Sequence, residues 1–126
     1  MKREGKPTDE AILAGRVIDR TIRPLFNQSM EYGVQVIATV LSMDDTIDPG
    51  ILAVNGASLV LAVSEIPWAG PIGAVRLAEY EGKILLNSSE KKRREGFDYD
   101  LIVCGKDGRV NMVEAVAYQI PEGVIA

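Results

Sequence analysis

Residues 50–64 constrain the fold more tightly than any other stretch of this chain. Read as a helix, they are apolar on nearly every side, interrupted by Asn55, Gly56 and Ser58. A helix without a polar face has to be enclosed by other elements. Its small residues, Ala53, Gly56, Ala57 and Ser58, let a second backbone come close, a pattern that serves packing before it serves a ligand. The start signal lies just ahead, with Asp48 as a good N-cap and Pro49 suited to the first helical position. Asp44, Asp45 and Asp48 place three acids within five residues. Such oxygens can hold a divalent ion, but a turn leading into a cap accounts for them more simply.

Composition narrows the class. A chain of 126 residues with 47% hydrophobic content suits one domain with a modest core. Its net charge of −4 excludes bulk attraction to nucleic acid, so any polyanion site must be a local patch. The absence of histidine removes histidine-based nucleophile triads, metal ligands and acid–base chemistry. One cysteine, Cys104, rules out an internal disulfide framework and suits a reducing compartment, so the expected location is the cytoplasm. No apolar run approaches the roughly 20 residues that a membrane span requires, and no membrane partner is expected.

The only stretch that joins a basic loop to a repeating cation is residues 2–25. Lys2, Arg3 and Lys6 precede Pro7, and Thr8 is placed to cap a helix whose first turn carries Asp9 and Glu10. At about 100° per residue, Ala14, Val17, Ile18 and Ile22 share one face, while Arg16, Arg20 and Arg23 gather on another. Pro24 ends the run. A row of guanidinium groups suits phosphate oxygens. The alternative is a solvated face in which Asp19 pairs with Arg16 or Arg23. Spacing alone leaves both open.

Farther along, Val34 to Met43 reads as a strand rich in branched residues, of the kind that sits centrally in a sheet. Residues 66–73 form a link dense in proline and glycine. There Trp68 could stack on a base or anchor the link beside the preceding helix, the simpler reading. Gly73–Tyr80 and Lys83–Leu86 flank Glu81-Gly82 as a hairpin, and Arg76 breaks the first strand's apolar pattern, pointing into a site or out to water. Glu90 to Gly96 is a charge run without apolar period, read as an exposed connector. Leu101–Gly105 and Arg109–Val116 form a second hairpin, with Cys104 in its core, and Pro121-Glu122 opens another helix. Helix, strand, helix and two hairpins together predict an α+β fold, a mixed sheet with helices packed on one face.

Several of these segments, taken in order, resemble the first core domain of the polynucleotide phosphorylase family. They are Arg3 to Pro7, Arg16 to Phe26, Val34 to Val40, Asn55 to Ser58, Ile66 to Arg76 and Met112 to Glu114. The resemblance runs over nearly the whole chain. It implies an RNase PH-like fold (ribosomal protein S5 domain 2-like), with residues 1–126 forming a partial first core domain truncated at both ends. It further implies phosphate-dependent degradation of RNA from the 3′ end, releasing nucleoside diphosphates and reversible as polymerisation. Single-stranded RNA is the implied partner, inorganic phosphate the co-substrate, magnesium the cofactor and a homotrimeric ring the assembly, which can join a larger RNA-degradation complex.

By the same resemblance, Lys2 and Arg3 fall in a loop that grips RNA at the ring's pore. Arg16, Arg20, Arg23 and Arg76 match basic positions facing RNA and the active-site cleft. Three departures stand out. The family loop opens with two aromatic residues, absent here or cut away ahead of Met1, and Thr21 stands where the family usually has proline. The phosphate-binding serines and metal-binding aspartates belong to the family's second core domain, so magnesium would be held there and this part alone is expected to be inactive. A non-catalytic RNA-binding subunit of an exosome-like ring is the alternative, and a structural domain whose arginines only make ion pairs is the third.

Overall fold

A computed structural model describes residues 5–126. Helix α1 spans Asp9–Ile22 and runs into a 3₁₀ turn at Arg23–Leu25; α2 spans Pro49–Val63. Strands β1 (Gly73–Tyr80) and β2 (Lys83–Leu86) form the first hairpin. The short helix α3 (Glu90–Arg94) precedes β3 (Tyr99–Lys106) and β4 (Arg109–Ala117), and α4 covers Glu122–Ile125. The sheet order is β2-β1-β3-β4. All three pairings are antiparallel, so the α+β class is as expected but the described sheet is not mixed.

The core lies between helices and sheet. Val17 and Ile22 of α1, Val54 and Leu61 of α2, and Cys104 and Met112 of β3 and β4 form one buried cluster with Ile72. Cys104 and Met112 are register partners, which places them on one face. The polar residues that interrupt α2 are what dock it to β1. Asn55 Oδ1 accepts the Ala74 N–H at 2.9 Å, its Nδ2 donates to the Ala74 carbonyl at 3.0 Å, and Ser58 Oγ accepts the Ile72 N–H at 2.9 Å. Asn55 thus bonds backbone of β1 itself and Ser58 the residue just ahead of it, groups that would otherwise lose a partner on burial.

Two expectations are corrected. Residues 34–43 are not a central strand. Only Val34 and Val36 pack on the core, whereas Ile37 is 76% and Leu41 94% exposed. A strand is made by its neighbour, and no described strand pairs with this stretch. The charge run is not a plain connector either. Ser89 caps α3 by accepting the Lys92 N–H, and the α3 residue Arg93 turns inward.

The β3–β4 ladder shifts register between Cys104 and Gly105. There a Cβ on Gly105 would run into the Arg109 carbonyl oxygen, which is backbone and cannot move aside. Gly105→Ala is therefore expected to lower stability by about 1–3 kcal/mol, read from the urea midpoint. An unchanged midpoint would contradict this tight approach.

Candidate nucleic-acid interface

Thr8 Oγ1 accepts the Ala11 N–H at 3.2 Å and starts α1, with Asp9 and Glu10 at the positive end of its dipole. Val17, Thr21 and Ile22 are buried, and Ala14 and Ile18 half-buried, so the apolar face expected from spacing is the one that packs. Thr21 returns its hydroxyl to the Val17 carbonyl at 2.7 Å. With that face fixed inward, Arg16, Arg20 and Arg23 stand in solvent.

The three arginines then diverge. Arg23 takes Asp19 as its partner, Nη2 to Oδ1 at 2.7 Å, in an exposed pair one turn apart. Arg16 and Arg20 make no ion pair among the described residues. The helical rise places them about 6 Å apart along the axis. Of the alternatives left open by spacing, ion pairing claims Arg23 and leaves the other two available. Lys2 and Arg3 lie outside the described residues.

Arg76 is held differently. Its Nε donates to Asp100 Oδ1 at 2.8 Å, its Nη2 to Asp100 Oδ2 at 2.6 Å, and its Nη1 to Asp48. Asp100 lies on β3, two residues from the register partner of Arg76 and therefore on the same face. Arg93 completes the group at 3.8 Å from Asp48 and 3.9 Å from Asp100, and gives Nη1 to the Ser88 carbonyl at 2.6 Å. The four charges join the start of α2, two strands and α3.

Their protonation follows from the crowding. Burial works to raise the Asp48 carboxyl. The Arg76 hydrogen bond, the Gly50 N–H and the charges of Arg76 and Arg93 outweigh it and hold the group below the usual carboxylate range. Burial likewise opposes the charge on Arg76, but hydrogen bonds and charge from both carboxylates raise its pKa. Arg93 is lowered, by burial first and then by repulsion from Arg76. Spacing gave no sign of Arg93. The available signal was Ser89 as a cap ahead of five strong helix formers, Glu90 to Arg94.

Among the described residues no three His, Cys, Asp or Glu come together as metal ligands. Asp44 accepts from Thr46, and Asp48 caps α2 through the Gly50 N–H at 2.8 Å while pairing with Arg76. The described residues therefore do not fit a magnesium ion. Burial also pushes the Cys104 thiol up, partly offset by the Thr21 hydroxyl, so it is a packing group. Trp68 is the anchor rather than an open stacking platform. Its Nε1 donates to the Ile22 carbonyl at 3.1 Å, and its ring lies 6.3 Å from Phe26, centroid to centroid. Beside it a shallow groove of about 480 Å³, lined by Pro24, Leu25, Phe26, Asn27, Pro67, Trp68 and Ala69, borders the end of α1.

Residues 1–67 match the model of the 3′ exoribonuclease family, domain 1. The chain is 47% identical over 124 residues to the polyribonucleotide nucleotidyltransferase of Halothermothrix orenii, a match covering 98% of this chain and 17% of that one. It is 46% identical over 125 residues to the protein of that name from Caldicellulosiruptor saccharolyticus, covering 99% and 18%. For the Aquifex aeolicus protein of the same name the values are 46%, 99% and 16%. The chain thus spans under a fifth of the length of these relatives.

The depressed Asp48 carboxyl sets a pH dependence. Its stabilisation is present above the ordinary carboxylate value near 3.9 and is lost as pH falls from there through the lower native value. Asp48→Asn keeps an N-cap oxygen but drops the charge facing Arg76. It should be less stable at pH 7 by about 1–3 kcal/mol and lose less on acidification below about pH 4. Urea midpoints measured from pH 2.5 to 7 check this; parallel curves for the two proteins would contradict it.

Proposed function

The chain belongs to the 3′ exoribonuclease family, as a domain 1, and from that premise we propose that it is the RNA-holding part of a phosphate-dependent 3′-to-5′ exoribonuclease. One observation carries this reading. Arg16 and Arg20 are exposed on successive turns of a helix whose other face is buried, and no described carboxylate claims them. In phosphorolysis an oxygen of inorganic phosphate attacks the phosphorus of the terminal linkage. The bond to the preceding 3′ oxygen breaks, releasing a nucleoside diphosphate and a shortened chain. Two anions must approach each other, and fixed cations lower that repulsion. Arg16 and Arg20 supply this by holding the RNA backbone, and Arg23 can join them by exchanging Asp19 for phosphate in an exposed pair of small net worth. Arg76 already spends three of its donors on Asp48 and Asp100, so its part in RNA binding is to hold the scaffold.

The attacking phosphate, and any magnesium that assists it, belong on this reading to residues elsewhere in the whole protein, and this stretch alone performs no turnover. Assembly into a homotrimeric ring, in the cytoplasm and within reach of an RNA-degradation complex, belongs to the same proposal. Its support is the apolar outer side of α2, where Leu52, Leu59, Val60 and Val63 are each more than 60% exposed. No helix among the described residues is long and apolar enough to cross a membrane.

Single-strand RNA binding by the whole protein, titrated against salt, tests the proposal. Replacing Arg16 and Arg20 together by alanine should weaken binding roughly tenfold and flatten the plot of log affinity against log salt by about 1.4, or 0.7 for each lost phosphate contact. Unchanged affinity and slope would leave these arginines as solvated surface. The unaltered protein should release nucleoside diphosphates from poly(A) only when inorganic phosphate is added. Binding without release would instead favour a non-catalytic subunit of an exosome-like ring.

A further inference from the structure

We propose that Asn111 and Trp68 are positioning residues that aim the α1 arginines, by capping the carboxyl end of that helix with donors from far along the chain. The inference rests on the RNA-holding role of Arg16 and Arg20. The last carbonyls of a helix have no partner within it, and here the shortage is worse. Pro24 has no N–H to offer the Arg20 carbonyl one turn back, and the Phe26 N–H turns to the Arg23 carbonyl at 3.2 Å. The Thr21 carbonyl takes a bond from Asn111 Nδ2 at 2.9 Å, and the Ile22 carbonyl, where the 3₁₀ turn begins, takes one from Trp68 Nε1 at 3.1 Å. These donors stand 90 and 46 residues away in sequence.

Each donor is itself fixed. Asn111 lies on β4 next to Met112, a member of the core cluster. Trp68 packs on Phe26 and lies so close over Gly70 that a Cβ there would enter the indole ring. The Ala69 N–H bonds the Leu25 carbonyl at 3.0 Å, which ties the same link to the 3₁₀ turn. Two donors on separate elements, holding adjacent carbonyls, stop α1 from turning about its axis.

That freedom matters for binding. With side chains, a helix has a radius of about 5–6 Å, so a 20° rotation carries a guanidinium about 2 Å sideways. A hydrogen bond to phosphate does not survive that displacement.

The test measures single-strand RNA affinity, its salt slope and the thermal midpoint of the whole protein carrying Asn111→Asp or Trp68→Phe. Arg16→Ala/Arg20→Ala serves as the reference. Asn111→Asp is nearly isosteric and removes the donor; Trp68→Phe keeps a ring against Phe26 and gives the same readout should Asn111→Asp fail to fold. The expected result is binding weakened about three- to tenfold with a shallower salt slope in folded protein. A lower midpoint with affinity and slope unchanged, while the arginine variant is weakened, would overturn the proposal and leave Asn111 and Trp68 as structural residues only. An unchanged arginine variant would fail the RNA reading itself, and this inference with it.

Discussion

The burial of one side of α2 organises everything else. A fifteen-residue helix with almost no polar surface calls for cover all round. Ile51, Val54, Ala57, Ser58 and Leu61 are covered, while Leu52, Leu59, Val60 and Val63 stay exposed, so the enclosure expected from its composition is met on one side only. It receives α1 along one flank and the start of β1 along another. Two polar side chains bond backbone across that contact, Asn55 to Ala74 of β1 and Ser58 to Ile72 just ahead of it. Once α1 is pinned against α2 through Val17 and Ile22, its remaining face has nowhere to point but outward. The cation row is thus a by-product of burying its neighbour, and its direction is refined by what holds the helix's end.

Electrostatics then sorts the arginines. The chain carries 18 acids against 14 lysines and arginines, so most cations should find a carboxylate nearby. Arg76 and Arg93 do so in a half-buried group with Asp48 and Asp100, where a planar guanidinium can satisfy two oxygens at once. Removing one member of such a group leaves the others stranded, so it serves the scaffold more than any ligand. Arg23 makes only an exposed pair, easily exchanged. Among the described residues Arg16 and Arg20 make no ion pair, and in a net-acidic protein any attraction for a polyanion has to be local in this way.

How much of this was legible in the sequence depended on how far apart the interacting residues lie. The Thr8 and Asp48 caps, the apolar stripe of α1 and both hairpins rest on contacts within a few residues, and spacing was enough to read them. Residues 34–43 carry a strand-like composition, but whether a strand forms depends on a neighbour that local pattern does not contain. The partners of Arg76, Asp100 and Asp48, lie 24 and 28 residues away, and the first becomes visible only once the β1–β3 register is known. Arg93 was hidden because a run of six charged residues, Glu90 to Glu95, reads as a connector unless the Ser89 cap is weighed. The helix-end bonds from Asn111 and Trp68 span still longer separations, and no periodicity signals them.

Where RNA lies on α1 is the most direct point to measure. A structure of the whole protein with a short single-stranded RNA bound should place phosphate oxygens about 2.7–2.9 Å from the Arg16 and Arg20 guanidinium nitrogens, with Arg76 still clasped by Asp48 and Asp100. RNA seated elsewhere, with Arg16 and Arg20 left in solvent or turned to carboxylates, would contradict it.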